Sequence, residues 1–205
     1  MPRDHSHGCG SECNDHDHIP EAQGHRDNLY TRIDRDNIVA LNAEGRASSV
    51  IKPWNERMGE EVYLESDADD QLILRIPFTG SVKLRALLLK AGPGDQTPAK
   101  VSLYSNADAL DFSEISDQKP TQEFEVPQGR EVGEYHVMSA KFPATTSITL
   151  FFPASQGADT IRIYYVGFLG QWSERKSEPI IAVYESRGNP ADHLRLRGLQ
   201  GATAP

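Results

Sequence analysis

The stretch QLILRIPFTGSVKLRALLL, residues 71 to 89, decides the fold. Leu72, Leu74 and Ile76 are spaced two apart, so an extended chain puts them on one face while a helix would scatter them. Val82, Leu84, Ala86 and Leu88 resume the alternation. Apolar residues at Leu87 and Leu89 between them predict a strand that becomes covered on both faces. Outward from this stretch the same period of two recurs. It appears in Val101 to Leu103, Phe124 to Val126, Tyr135 to Phe142, Ile148 to Phe152 and Ile161 to Tyr165, and after Pro179 in Ile180 to Tyr184. About eight strands are expected in all, separated by polar turns. Gly92-Pro93-Gly94-Asp95 closes one strand, and the Pro/Ser/Gly/Asp segment from Pro153 to Asp159 reads as a hairpin loop. Helical candidates are short: a turn or two between Arg32 and Ala43, and one turn from Asp111 to Ile115. The fold class expected is all-β, a two-sheet sandwich of jelly-roll type.

The 205 residues suit one large domain with tails rather than two domains. A net charge of −9 excludes the concentrated basic surface that nucleic acid requires, and equally an anionic membrane as partner. No apolar run approaches the roughly 20 residues that span a bilayer. Two cysteines in a polar leader make no disulfide framework. A soluble, intracellular, monomeric protein is expected.

Composition changes near residue 29. Residues 1–28 contain one large aliphatic residue besides Met1, Ile19, and carry six acids against two arginines. Such a leader cannot bury enough apolar surface to offset its ordering entropy and is expected to be disordered. It nevertheless concentrates both cysteines and four of the seven histidines in HSHGCGSECNDHDH, residues 5–18. Cys9, Cys13, His16 and His18 could supply four zinc ligands. Their spacing lacks the ordered element that separates ligand pairs in fingers, and no apolar shell surrounds them, so no specific metal site is expected.

The remainder offers little to catalysis. It has no cysteine, and His136 and His193 are its only histidines. There is no Gly-x-Ser-x-Gly elbow, no phosphate loop and no dinucleotide glycine pattern. His136, between Tyr135 and Val137, is either a surface position or a hydrogen-bonded core residue. No catalytic residue, cofactor or metal is expected.

The densest charge cluster is Glu65-Ser66-Asp67-Ala68-Asp69-Asp70. Calcium ligation through its alternate aspartates fails the EF-hand pattern, since no glycine follows Asp70 and no glutamate closes the loop. The stretch is either a solubilising turn or a docking patch for a basic partner. Trp54 and Trp172 flank strands, where an indole plugs an open end of the core or anchors a partner. Trp54, Glu65, Asp67, Asp69 and Asp70 are the partner-binding candidates. Asn189 to His193 reads as a turn into a polar tail, residues 194–205.

Several of these residues also carry a resemblance. The segment Leu64 to Leu72, followed by Ile76-Pro77-Phe78-Thr79-Gly80-Ser81-Val82-Lys83-Leu84, resembles the core of the PITH domain. So do Pro120-Thr121-Gln122, Gln156 to Thr160 and Val166-Gly167-Phe168-Leu169-Gly170. The similarity runs over residues 29–193. It implies a jelly-roll sandwich of galactose-binding-like form and a non-enzymatic intracellular module of cytoplasm and nucleus. One branch of the family follows a thioredoxin domain and associates with the proteasome. With no Cys-x-x-Cys, this sequence looks like the stand-alone PITH proteins instead. The resemblance implies an adaptor for a protein partner, with the proteasome regulatory particle as the inherited candidate. Two rival functions are a carbohydrate-binding module using an exposed Trp54 or Trp172, and a thiol-redox or metal accessory using Cys9 and Cys13.

Overall fold

The computed structural model describes residues 26–107 and 110–174. Cys9, Cys13, His16 and His18, the strand expected at 180–184, the turn at 189–193 with His193, and the tail from 194 all lie outside the described residues. In chain order the strands are β1 (Val39–Leu41), β2 (Ala43–Glu44), β3 (Leu64–Ser66), β4 (Leu72–Ala91) and β5 (Lys100–Ser105). After helix α1 (Phe112–Asp117) come β6 (Gln122–Glu125), β7 (Gly133–His136), β8 (Thr145–Phe152) and β9 (Arg162–Ser173).

From Leu72 onward the opening stretch lies within β4, a single strand of 20 residues. A strand has two edges, yet β4 has four antiparallel partners, so it must change neighbours along its length. Its first half pairs with β1 and β8, and its second half with β9 and β7. The change falls where the register with β8 slips, between Pro77 and Val82. Proline donates no ladder hydrogen bond, so a break beside Pro77 costs little there. β8 continues through β5 to β6, and β9 through β3 to β2. Two antiparallel layers therefore share β4 and fold over one core: a jelly-roll sandwich.

Side chains from both layers meet inside. Leu72, Leu74 and Ile76 from the first half of β4 join Leu150 and Phe152 of β8 and Ile163 and Phe168 of β9 in one buried cluster. Each such side chain contributes about 1.5–3 kcal/mol on leaving water. The strict alternation does not persist along β4. A second register slip between Leu84 and Ala86 moves the inward positions from Val82 and Leu84 to Leu87 and Leu89. Ala86 and Leu88 consequently face outward, where Tyr165, Leu169, Trp54 and Val132 cover them. On the other layer Ile73 and Tyr104 are covered by Ile115 and Phe112 of α1. The helix starts at Asp111, whose carboxylate accepts from the backbone N–H groups of Ser113 and Glu114 at 2.9 and 2.8 Å.

Four local expectations are corrected. The segment 32–43 forms 3-10 turns at Tyr30–Arg32 and Arg35–Asn37 and then an edge strand, since Val39 to Leu41 gain a ladder against Ile73 to Arg75. The strand expected from Tyr135 to Phe142 ends at His136, because Ser139–Lys141 form a 3-10 turn ahead of Pro143. Residues 153–161 make no hairpin: β8 and β9 both pair with β4, and the loop carries the chain from one layer to the other. Finally, the body begins before Leu29. Asp27 O accepts from Gly170 N, its carboxylate pairs with Arg85, and Asn28 bridges to Leu169.

Candidate partner-binding rim

Loops 67–71, 92–99, 126–132 and 153–161 interlock at one end of the sandwich. Ser155 N donates to Asp70 Oδ2 at 2.8 Å, and Gln156 N to Asp95 O at 3.1 Å. Gln156 Nε2 donates to Val126 O at 2.6 Å, and Gln128 Nε2 to Asp95 Oδ1 at 3.3 Å. Each contact ties one loop to another, so the rim behaves as one surface.

The acidic stretch divides into separate roles. Glu65 is a half-buried internal residue. Its carboxylate receives Arg162 through Nε and Nη2 at 3.1 and 2.7 Å, Thr160 Oγ1 at 2.8 Å and Gln96 Nε2 at 3.0 Å. Burial works against its charge, but the bonds from Arg162, Thr160 and Gln96 outweigh that and hold the carboxyl below its ordinary range. The sequence grouped Glu65 with the exposed aspartates; the structure separates it, because strand alternation turns it toward Arg162 of the neighbouring β9. Asp69 shapes the loop: its Oδ1 accepts from Gln71 N at 3.0 Å and Asn42 Nδ2 at 2.6 Å. Asp70 is fixed to Ser155 as above. Asp67 is exposed, and its carboxylate takes no hydrogen bond from the described residues.

Asn42 organises this loop and was not singled out in the sequence. It sits at φ +56°, a left-handed conformation that asparagine tolerates better than most residues. From there its amide bridges Asp69 Oδ1 and Gln71 O, both at 2.6 Å, while Oδ1 accepts from Ala68 N at 2.9 Å. An asparagine immediately after an apolar strand was the available signal. Among the described residues no three His, Cys, Asp or Glu side chains converge as a metal site.

Neither tryptophan is an open platform. Trp54 packs on the outer cluster of Leu88 and Tyr165, with the Arg57 guanidinium 4.1 Å above its ring. Trp172, within β9, packs against the main core under Arg32 at 4.0 Å. A ligand stacking on the covered faces would first have to displace those arginines. His136, the one histidine among the described residues, is exposed, with Nδ1 3.7 Å from Glu134 Oε1.

Next to the rim is a cleft of about 560 Å³ lined by Glu60, Lys90, Pro93, Gln128, Arg130 and Tyr164 among others. Lys90, on the outward face of β4, is 3% exposed. Its Nζ donates to Met58 O at 2.9 Å and pairs with Glu60 Oε1 at 2.8 Å. The hydrogen bond and then the charge of Lys90 hold the Glu60 carboxyl below its usual range. The sequence hid this residue, since one lysine at the end of an apolar strand reads as an ordinary strand terminus.

A sequence profile of the PITH domain matches residues 19–188. The chain belongs to the PITH-domain family. It is 39% identical to PITH domain-containing protein CG6153 of Drosophila melanogaster over 200 residues, 94% of each chain. It is 35% identical to human PITH domain-containing protein 1 over 202 residues, again 94% of each. Among solved structures, the fucolectin of striped bass serum superposes with a TM-score of 0.51 at 11% identity. That match covers 71% of this chain and 49% of the fucolectin, and shows that the PITH domain has a galactose-binding-like fold. Among the described residues no helix is long and apolar enough to cross a membrane.

Proposed function

We propose that this PITH domain is a non-enzymatic protein-interaction module of the cytoplasm and nucleus, an adaptor whose partner is the regulatory particle of the proteasome. The observation that carries the interaction role is the loop 67–70. Asn42 accepts from the loop's Ala68 N–H, and Ser155 N–H holds the Asp70 carboxylate, while Asp67 stays exposed to solvent. A loop ordered before contact loses little further freedom on binding, and exposed carboxylates on it raise the encounter rate with a basic surface. Trp54, with Arg57 over its ring, packs on the outer cluster of Leu88 and Tyr165 and serves as packing rather than as an open anchor. The proteasome as partner rests on the family resemblance. The stacked arginines over both indoles weigh against a carbohydrate-binding role.

The test is association of the full chain with purified proteasome regulatory particle, wild type against Asp67→Lys. Wild type is expected to bind, more weakly as salt rises, and the charge reversal to reduce affinity about tenfold or more. Equal binding by both proteins would remove the acidic loop, and no binding by either would remove the partner.

A further inference from the structure

Withdrawing an ammonium from water costs several kcal/mol unless a partner offsets it. Lys90 satisfies that condition through an asymmetric pair. The lysine is 3% exposed and anchored by Met58 O, whereas the Glu60 side chain that neutralises it is 57% exposed. An ammonium has three hydrogens, and two are used on Met58 O and Glu60. The third has no oxygen acceptor among the described residues; the Tyr164 ring centroid is 5.9 Å away. Arg130 lines the same cleft from an exposed position. The fixed element is therefore a buried cation opening on a cavity, and the replaceable element is an external carboxylate.

We propose that this cleft is a carboxylate-binding site in which Glu60 occupies the position of the ligand. An incoming carboxylate replaces Glu60 at Lys90 Nζ, takes up the third ammonium hydrogen, and is held at the mouth by the Arg130 guanidinium. The exchange conserves charge at Lys90, so the buried ammonium never stands unpaired. Glu60 moves into water that already reaches most of its side chain, so its release adds little desolvation. Glu60 already sets a planar carboxylate 2.8 Å from Lys90 Nζ, the group an entering ligand has to match, and once Glu60 has left, Lys90 and Arg130 present two positive charges to it. Pro93 and Tyr164 give the cavity apolar walls, and its volume holds a single side chain with its flanking backbone. The chemistry is shared by small free carboxylates and by acidic side chains or chain ends of a polypeptide. It stands apart from the acidic loop, which would attract the opposite charge.

The test is a backbone-amide NMR titration of the full chain with sodium acetate, a blocked tetrapeptide containing one glutamate, its glutamine counterpart and inorganic phosphate. Shifts are expected at Ala91, Gly94, Gly129 and Tyr164 with the glutamate peptide and not with the glutamine one. If acetate also produces them, free carboxylates suffice; if the peptide alone does, the site reads polypeptide, and either supports the proposal. Glu60→Gln removes the internal competitor and tightens peptide binding about tenfold, a hydrogen bond to a charged group being worth a factor of that order. Arg130→Ala, exposed and outside the core, weakens it by a similar factor, and Lys90→Met abolishes it. Arg130→Ala reads the site even if Lys90→Met fails to fold. The proposal is overturned if neither carboxylate shifts these amides, if glutamine or phosphate serves as well, or if Glu60→Gln binds no more tightly than wild type.

Discussion

Replacing Asn42 tests whether the acidic loop is built or merely exposed. The side chain makes three hydrogen bonds of 2.9 Å or less, to Asp69 Oδ1, Gln71 O and Ala68 N. In a partly solvated site each is worth about 0.5–1 kcal/mol net, since water replaces part of what is lost. Asn42→Ala also places a Cβ-bearing residue of low left-handed tolerance at φ +56°, adding about 1 kcal/mol. The alanine variant should therefore lose about 2.5–4 kcal/mol. Asn42→Gly loses the same bonds without the backbone penalty and should be about 1 kcal/mol more stable than the alanine variant. Urea unfolding with an unchanged m value measures both, and hydrogen exchange at the Ala68 amide reports the loop itself. Both variants lying within about 0.5 kcal/mol of wild type would refute the reasoning, as would an alanine variant more stable than the glycine one.

Three further outcomes follow from the same geometry. Glu65 binds its proton less tightly when folded than when unfolded, so its stabilisation is complete above its ordinary pKa of 4.5 and fades as pH falls through the depressed folded value. Glu65→Gln should flatten the acid limb of the stability curve below pH 4.5, read by unfolding midpoints across pH, and should also lower stability at neutral pH by about 1–3 kcal/mol. Gly170→Ala would put a Cβ 2.5 Å from Lys83 O, a backbone atom of paired β4, and should cost about 2–4 kcal/mol in thermal unfolding. Gly129→Ala, with nothing within 4 Å of the added carbon, should stay within about 0.5 kcal/mol of wild type.

The β class was legible because apolar residues two apart survive in any strand, whatever its neighbours. What periodicity cannot carry is a change of partner. The slip at Leu84/Ala86 exchanges inward and outward positions without altering composition, so Ala86 and Leu88 read as core-facing when they lie under Trp54. The continuity of β4 through Pro77 to Val82 was hidden for the same reason, and with it the crossing of the 153–161 loop between layers. Among the candidate residues, the exposure of Asp67 was legible because a charge in a turn favours solvent. Glu65 could not be told from it, since its partner Arg162 is 97 residues away. Asn42 and Lys90 escaped because their roles depend on loops and strands that meet only after folding.

The most direct measurement of the central claim is the binding of purified proteasome regulatory particle to the intact chain, to Asp67→Lys and to Asn42→Ala, at two salt concentrations. The account predicts salt-sensitive binding by the wild type, strong loss with Asp67→Lys while the fold is kept, and a smaller loss with Asn42→Ala. Binding that is insensitive to salt and unchanged by Asp67→Lys, or absent from the wild type, would contradict it.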